Sequence, residues 1–478
     1  MKKQLQFIFL FVSLMVFLFP KTSYSQLVEG LQGNGSRSNP VLIQSATDLK
    51  LVSDHVNSGK GHTNSHFRVV NDIDFSNEAL AYDLDGDGVN ESNFRPIGDD
   101  LSGSFFGGFF NGNNHTISGL KIKSAGVVVG LFGAAVGTSQ KTYIRNVRIT
   151  ESSFENLLAG GTIVGGVVGY AQSCDLTDCS VSAEIVSNVN GTIAGGIIGF
   201  SVQSVIENCF FKGSITSSGA GSTFGGIVAA GGQSGAFHKC SANVTISSTG
   251  DDCYIGGFAG STHSPIFNSY STGTITVSGE RCVVGGFIGL IVENGKIYNS
   301  YSVCNVTTAS TYPLGGFVGA LEEGKVSEND IINSYFINSW SSQSHPHNGL
   351  GIAKSASEMK SRDFVSLLND NQSSVVWGED TDNKNNGFPM LEVQKLLGTA
   401  KIVKNDNNTA VTFDGGNIKV TGKQLKFVQV TDVQGRIIKR ENISGDYYQT
   451  ELRQPMGIYI VTVGSASGIQ SVKLPVVR

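Results

Sequence analysis

Charge is scarce in this chain: only 15% of its 478 residues are Asp, Glu, Lys or Arg, and the formal net charge is −5. Such a balance leaves no basic footprint, so nucleic acid is excluded as a partner. Proline is scarcer still, with 9 residues against 61 glycines. That is the composition of folded, turn-rich β structure rather than of a disordered chain. The 7 cysteines include no C-x-x-C pair, which removes zinc and thioredoxin-type chemistry. The 8 histidines form no H-E-x-x-H, and neither a G-x-S-x-G elbow nor a phosphate-binding loop occurs. Zinc-protease, serine-hydrolase and nucleotide chemistry therefore lack their usual frames. Beyond residue 25 no apolar run is long enough to cross a bilayer as a helix, so no membrane span is expected in the mature chain.

Residues 1–25 read as a secretory signal. Lys2 and Lys3 give the positive start, Leu5–Phe19 the apolar core, and Ser23-Tyr-Ser25 a small-x-small cleavage site before Gln26. No cysteine follows that site, so a lipoprotein start is not expected. In an exported chain the odd cysteine count leaves at least one thiol unpaired.

What is present is repetition. The chain reads VGGVVG at 164–169, AGGIIG at 194–199, FGGIV at 224–228, IGGFAG at 255–260, VGGFIG at 284–289 and LGGFVG at 314–319. The first glycine of each pair falls at 165, 195, 225, 256, 285 and 315, a step of 29 to 31 residues. A second phrase keeps the same period: IENCF from Ile206, FHKCS from Phe237, IFNSY from Ile266, IYNSY from Ile297 and IINSY from Ile331. Each unit has short Val, Ile, Phe and Thr runs broken by Gly, Ser and Asn, which is strand and turn chemistry. So small a unit cannot bury its own apolar face, and successive units must stack over one shared core. The fold expected is all-β: a parallel β-solenoid of about 30-residue coils, right-handed by the rule for parallel crossovers, with equivalent residues about 4.8 Å apart. The glycine pairs mark hard bends or close backbone approach. Asn208, Asn268, Asn299 and Asn333 would form a ladder at a turn, where Asn tolerates left-handed geometry.

The alternation of GGF-x-G with I-x-N-S-Y-S-x-G closely resembles the GLUG repeat of bacterial surface and secreted proteins, over about residues 105–345. Where that family usually has Asp, this chain has Asn111, which argues against a catalytic carboxylate there. Residues 26–104 resemble the lead-in to such arrays. Ser45-Ala-Thr-Asp48 opens a helix to about residue 57, suited to covering an open solenoid end. Residues 346–396, with an amphipathic helix near 357–369, resemble the closing cap, and 397–408 read as a linker. Residues 409–478 form a separate small β-sandwich. Its V-x-D-x-x-G-R at 430–436, G-I-Y-I-V at 457–461 and terminal Lys473-Leu-Pro-Val resemble the C-terminal sorting domain of type IX secretion. The resemblance implies the type IX machinery as partner, and a secreted or outer-membrane-surface location in a Gram-negative bacterium.

Candidate chemistry is sparse. Asp83, Asp85 and Asp87 alternate with Gly88 placed for a sharp turn, and Glu91 follows. The spacing fits a structural Ca²⁺ loop, although Phe94 stands where an EF-hand has its bidentate Glu. A simple acidic turn fits the same residues. Cys179, Cys209 and Cys240 share a repeat position with Ser269, Ser300 and Ser334, which favours small-residue packing over disulfides. His345 and His347 flank Pro346 in a polar stretch. Tyr270, Tyr301 and Tyr335, with Phe210, occupy one repeat position, which suits either sugar rings if exposed or packing if buried. The acids between Gly165 and Pro313 scatter over unrelated repeat positions, whereas a polysaccharide lyase or glycosidase needs them clustered. An adhesin-like binding protein for a host or carbohydrate ligand is therefore preferred. A structural spacer and a polysaccharide-degrading enzyme are the alternatives.

Overall fold

The structure is a computed structural model describing residues 28–59, 64–99, 104–158, 160–308, 314–338, 348, 350–397, 410–414, 417–432, 436–451, 457–465 and 468–476. Residues 1–25, read above as a secretory signal, the His345/His347 pair and the stretch beyond residue 397 read as a linker lie outside these residues. The chain forms two units, 1–391 and 392–478.

One coil of the first unit contains four short strands, for example Ile163–Gly165, Val168–Gln172, Cys174–Thr177 and Ser180–Ser187. Each strand pairs with its equivalent in the next coil, giving four ladders of 7, 7, 10 and 11 strands among the described residues. They are called the first to fourth ladders in that order. The glycine pairs mark the register, because Gly165, Gly195, Gly225, Gly256, Gly285 and Gly315 are consecutive partners in the first ladder, all parallel. The third and fourth ladders also extend to strands that precede the glycine-pair array. Val41–Ile43, His66–Val69 and Phe109–Asn111 stack in the third, and Ile73–Asp74 and Thr116–Ser118 in the fourth.

Close approach explains the paired glycines. A Cβ on Gly195 would lie 2.0 Å from the Ile198 carbonyl oxygen, within its own bend. One on Gly196 would lie 2.1 Å from the Gly226 carbonyl and 2.2 Å from the Phe211 ring. The second glycine thus makes room for a fourth-ladder side chain crossing the core. That core is continuous from Val28 to Phe336.

The turn from third to fourth ladder is left-handed in seven successive coils, with φ of 54° at Asn146, 56° at Asp178, 54° at Asn208, 53° at Lys239, 50° at Asn268, 47° at Asn299 and 48° at Asn333. The left-handed geometry expected at Asn208, Asn268, Asn299 and Asn333 is therefore present, with Lys239 standing between the first two in the column. Asn208 Nδ2 donates to Asp178 Oδ1 at 3.1 Å and Asn333 Nδ2 to Asn299 Oδ1 at 2.7 Å. The adjoining Cys/Ser column has its own task. The backbone N–H of Cys209 donates to Cys240 Sγ, that of Cys240 to Ser269 Oγ, and that of Ser269 to Ser300 Oγ. All seven cysteines are buried and none is in a disulfide.

The helix Ala46–Asn57 is capped by Ser45, whose side chain accepts from the Asp48 N–H, while the Asp48 carboxylate reaches back to the Gln44 N–H. Its buried Leu49, Val52 and Val56 join the main core beside Val41 and Ile43. Among its described residues the second unit contains five antiparallel strands around Ile418, Val420, Val428, Val430, Val461 and Val463.

Candidate functional site

The acidic turn projects from a short closure in which Tyr82 bridges Ser92. Ligand oxygens of Asp83, Asp85 and Asp87 lie within 4.8 Å of one another. The Asp83 carboxylate accepts the N–H groups of Gly86 and Gly88, and this holds it below the usual carboxylate range. Partial burial, then the adjacent Asp83 and Asp87, pushes Asp85 the other way. Glu91 is turned to Lys123, whose Nζ is 2.5 Å away. Three hard oxygen donors at this spacing fit Ca²⁺, and Glu91 stands outside the group.

The tyrosine column is covered. Tyr270, Tyr301 and Tyr335 are 5%, 0% and 4% exposed, because residues 355–391 run back over the outer face of the fourth ladder. Two short helices, Ala356–Met359 and Arg362–Leu368, begin this strap. Phe364 meets the rings of Tyr301 and Tyr335 edge-on, and Trp377 packs 5.4 Å from Tyr301 and 5.9 Å from Tyr270. Polar contacts lock the strap in place. Asn268 Oδ1 accepts from Gln372 Nε2 and Trp377 Nε1, and the Tyr301 hydroxyl accepts from Asn385 and donates to the Pro389 carbonyl. These tyrosines are packing residues rather than a sugar platform.

Upstream of the strap the same outer face is open. A groove of about 450 Å³ is lined by Glu151, Glu184, Lys212, Ser182, Ser214, Asn243 and Thr245, among others. Register explains most of this set, since Ser182, Lys212 and Asn243 form one outward column and Glu184, Ser214 and Thr245 the next. Glu151 arrives differently. It is the extra residue of a bulge between Ile149 and Ser152, at φ 51°, and bulges re-aim side chains in this way. Thus Glu184, which looked isolated in sequence, shares a groove with a second carboxylate and an ammonium group. Among the described residues none of Glu151, Glu184 and Lys212 makes an ion pair.

Residues 160–186 match the GLUG motif. The chain is 33% identical over 138 residues to an Evansella cellulosilytica protein named as a Gly-rich membrane protein, covering 29% of this chain and 14% of that one. It is 28% identical over 178 residues to the halomucin of Haloquadratum walsbyi, covering 32% of this chain and 2% of that protein. The chain therefore spans only a small part of these relatives' lengths. Among solved structures, a Bacteroides ovatus protein carried under the name of an immunoglobulin A1 protease aligns with TM-score 0.47 and 21% identity, over 78% of this chain and 99% of that one. An IgA1 protease aligns with TM-score 0.44 and 18% identity, over 67% and 22%.

Proposed function

We propose that this chain is a secreted or surface-held repeat protein that binds glycan, and that residues 409–478 serve its export by the type IX route. One observation carries the binding reading: the open, polar groove on the fourth ladder, where hydroxyl, amide, carboxylate and ammonium groups line one cavity. Neutral sugars are recognised by such fixed polar groups along a preformed cleft. A relative named as a membrane protein and another named as a halomucin support a surface location. The five antiparallel C-terminal strands suit a sorting module at the outer membrane of a Gram-negative bacterium. The Asp83, Asp85 and Asp87 turn is its structural Ca²⁺ site.

The test is a glycan array probed with the mature chain in Ca²⁺ and in EDTA. Selective retention on a set of glycans is expected. Binding to none of them would leave the spacer reading in its place. A second reading rests on Glu151 and Glu184, because two carboxylates flanking one cleft are what glycoside cleavage requires. Polysaccharide scission that disappears in Glu151→Gln and Glu184→Gln would establish that reading over simple binding.

A further inference from the structure

The outer side of the third ladder carries two adjacent columns that the groove does not use. In the strands at 66–69, 109–111 and 142–145, Phe67, Phe110 and Ile144 point into the core. Their neighbours lie on the other side of the strands and are in register: His66, Phe109 and Tyr143 in one column, Arg68, the largely buried Asn111 and Arg145 in the other. The rings stack nearly parallel, His66 on Phe109 at 4.3 Å and 5°, Phe109 on Tyr143 at 5.4 Å and 7°. Tyr143 is 40% exposed, and its partner in the following coil is Asp175, not another ring. The ladder therefore ends on an aromatic face with no ring laid over it.

The second column is cationic, and the Asp178 carboxylate offsets part of the charge on Arg145. Among the described residues no carboxylate lies within ion-pair distance of Arg68, Arg145 or the nearby Arg37. Burial, then the charges of Arg68 and Arg37, pulls the Arg145 guanidinium below its ordinary range, and His66 feels all three arginines. Between the two arginines, Asn111 Oδ1 accepts from the Asn113 N–H and from Asn146 Nδ2. Its own Nδ2 has no acceptor among the described residues. Like charges held close together repel one another, and guanidinium pairs with a planar anion in a bidentate fork. The stretch is short, about 10 Å over two coil spacings. Beyond it Asp175 is tied to Lys141 and Glu207 to Lys239.

We propose that Arg37, Arg68, Asn111 and Arg145, beside the His66–Phe109–Tyr143 stack, bind an acidic glycan, its carboxylate or sulfate on the arginines and a sugar face on Tyr143. This rests on the glycan-binding reading and places a ligand class on a face separate from the groove. A patch one or two sugars long in a chain of charge −5 does not suit a phosphate track, which calls for an extended basic face. The test measures binding of the full mature chain to polygalacturonate, dextran sulfate, neutral dextran and a single-stranded oligonucleotide. The comparison variants are Arg68→Gln/Arg145→Gln and Tyr143→Ala, each checked for an unchanged melting temperature. Expected is binding to at least one acidic polymer, with the two arms telling carboxylate from sulfate. The double variant should weaken it at least tenfold, with a smaller loss in Tyr143→Ala. Equal acidic-glycan affinity in a folded double variant, or oligonucleotide bound as tightly, overturns the proposal. Binding confined to neutral glycans overturns it while the function proposed above stands; binding to no glycan removes both.

Discussion

Trp377 is the residue on which the strap over the tyrosine column most depends. Its indole is wholly buried, touches the rings of Tyr270 and Tyr301, and donates to Asn268. Truncating a buried aromatic to Ala costs about 3–5 kcal/mol, because the lost contacts and the residual cavity add. The solenoid core does not include Trp377, so the cost should fall on the strap's attachment and not on the coils. At 1.4 kcal/mol per tenfold, Trp377→Ala should raise opening of residues 355–391 by roughly two to three and a half orders of magnitude. Native-state hydrogen exchange reads this directly. Amides of 355–391 should lose protection by that factor, while those of Ser241–Ser248 and Phe210–Ser217 keep theirs. Trp377→Phe, which retains a ring but not the N–H, should fall between. Unchanged strap protection in Trp377→Ala would show that the strap is not held by this contact. Loss of protection spread evenly through the coils would show that strap and solenoid open as one body.

Three further outcomes follow from single contacts. Cys240→Ser should stay within about 1 kcal/mol of the parent in urea unfolding, because Ser fills the same position at 269, 300 and 334. Cys240→Ala, which orphans the Cys209 N–H, should cost about 1–3 kcal/mol; equal midpoints for the two variants would contradict the ladder's role. Burial pushes the Asp178 carboxyl from 3.8 up to about 6, against the pull of Asn208. A carboxyl raised in the folded state favours folding while protonated. Stability should therefore fall as pH rises between about 4 and 6, by about 1–3 kcal/mol. Asp178→Asn, matching Asn146 and Asn208 at the same left-handed turn, should flatten that slope; a slope that persists refutes the assignment. Millimolar Ca²⁺ should raise the melting temperature of the parent but not of Asp83→Asn/Asp85→Asn, and identical shifts in both would dismiss the acidic turn as a calcium site.

What sequence could disclose was whatever repeats. The glycine pairs, the left-handed asparagines and the Cys/Ser column recur because each coil solves the same local problem: a tight bend, a reversed φ, or an N–H left over at a turn. A period of about 30 residues turns those solutions into ladders, so stacking could be read without any long-range contact being known. The strap could not be read that way. Its anchors join Asn268 to Gln372 and Tyr301 to Asn385, contacts made once and between unlike segments. Repetition thus identified the tyrosine column but could not say whether water or protein lay over it.

The two candidate binding faces were hidden by departures from the period. Glu151 enters the groove as one extra residue in the strand Arg148–Asn156, nine residues long where the next coil's strand has eight. A count of acids by repeat position places it nowhere, yet that surplus residue was the available signal. The arginine column is hidden for a different reason. Arg68 lies in a coil that carries no glycine pair, and Asn111 stands between it and Arg145. The spacing from Arg68 to Asn111 is 43 residues and from Asn111 to Arg145 is 34, neither of them the array's step. The long excursion before Phe109 includes the acidic turn and stretches the coil without moving its strand out of register. Side chains 77 residues apart are thereby brought two coil spacings from each other. In a solenoid the core enforces register and leaves the loops free to vary. The non-repeating chemistry is therefore found where coils of unequal length stack in step, and there the glycan experiments should be aimed.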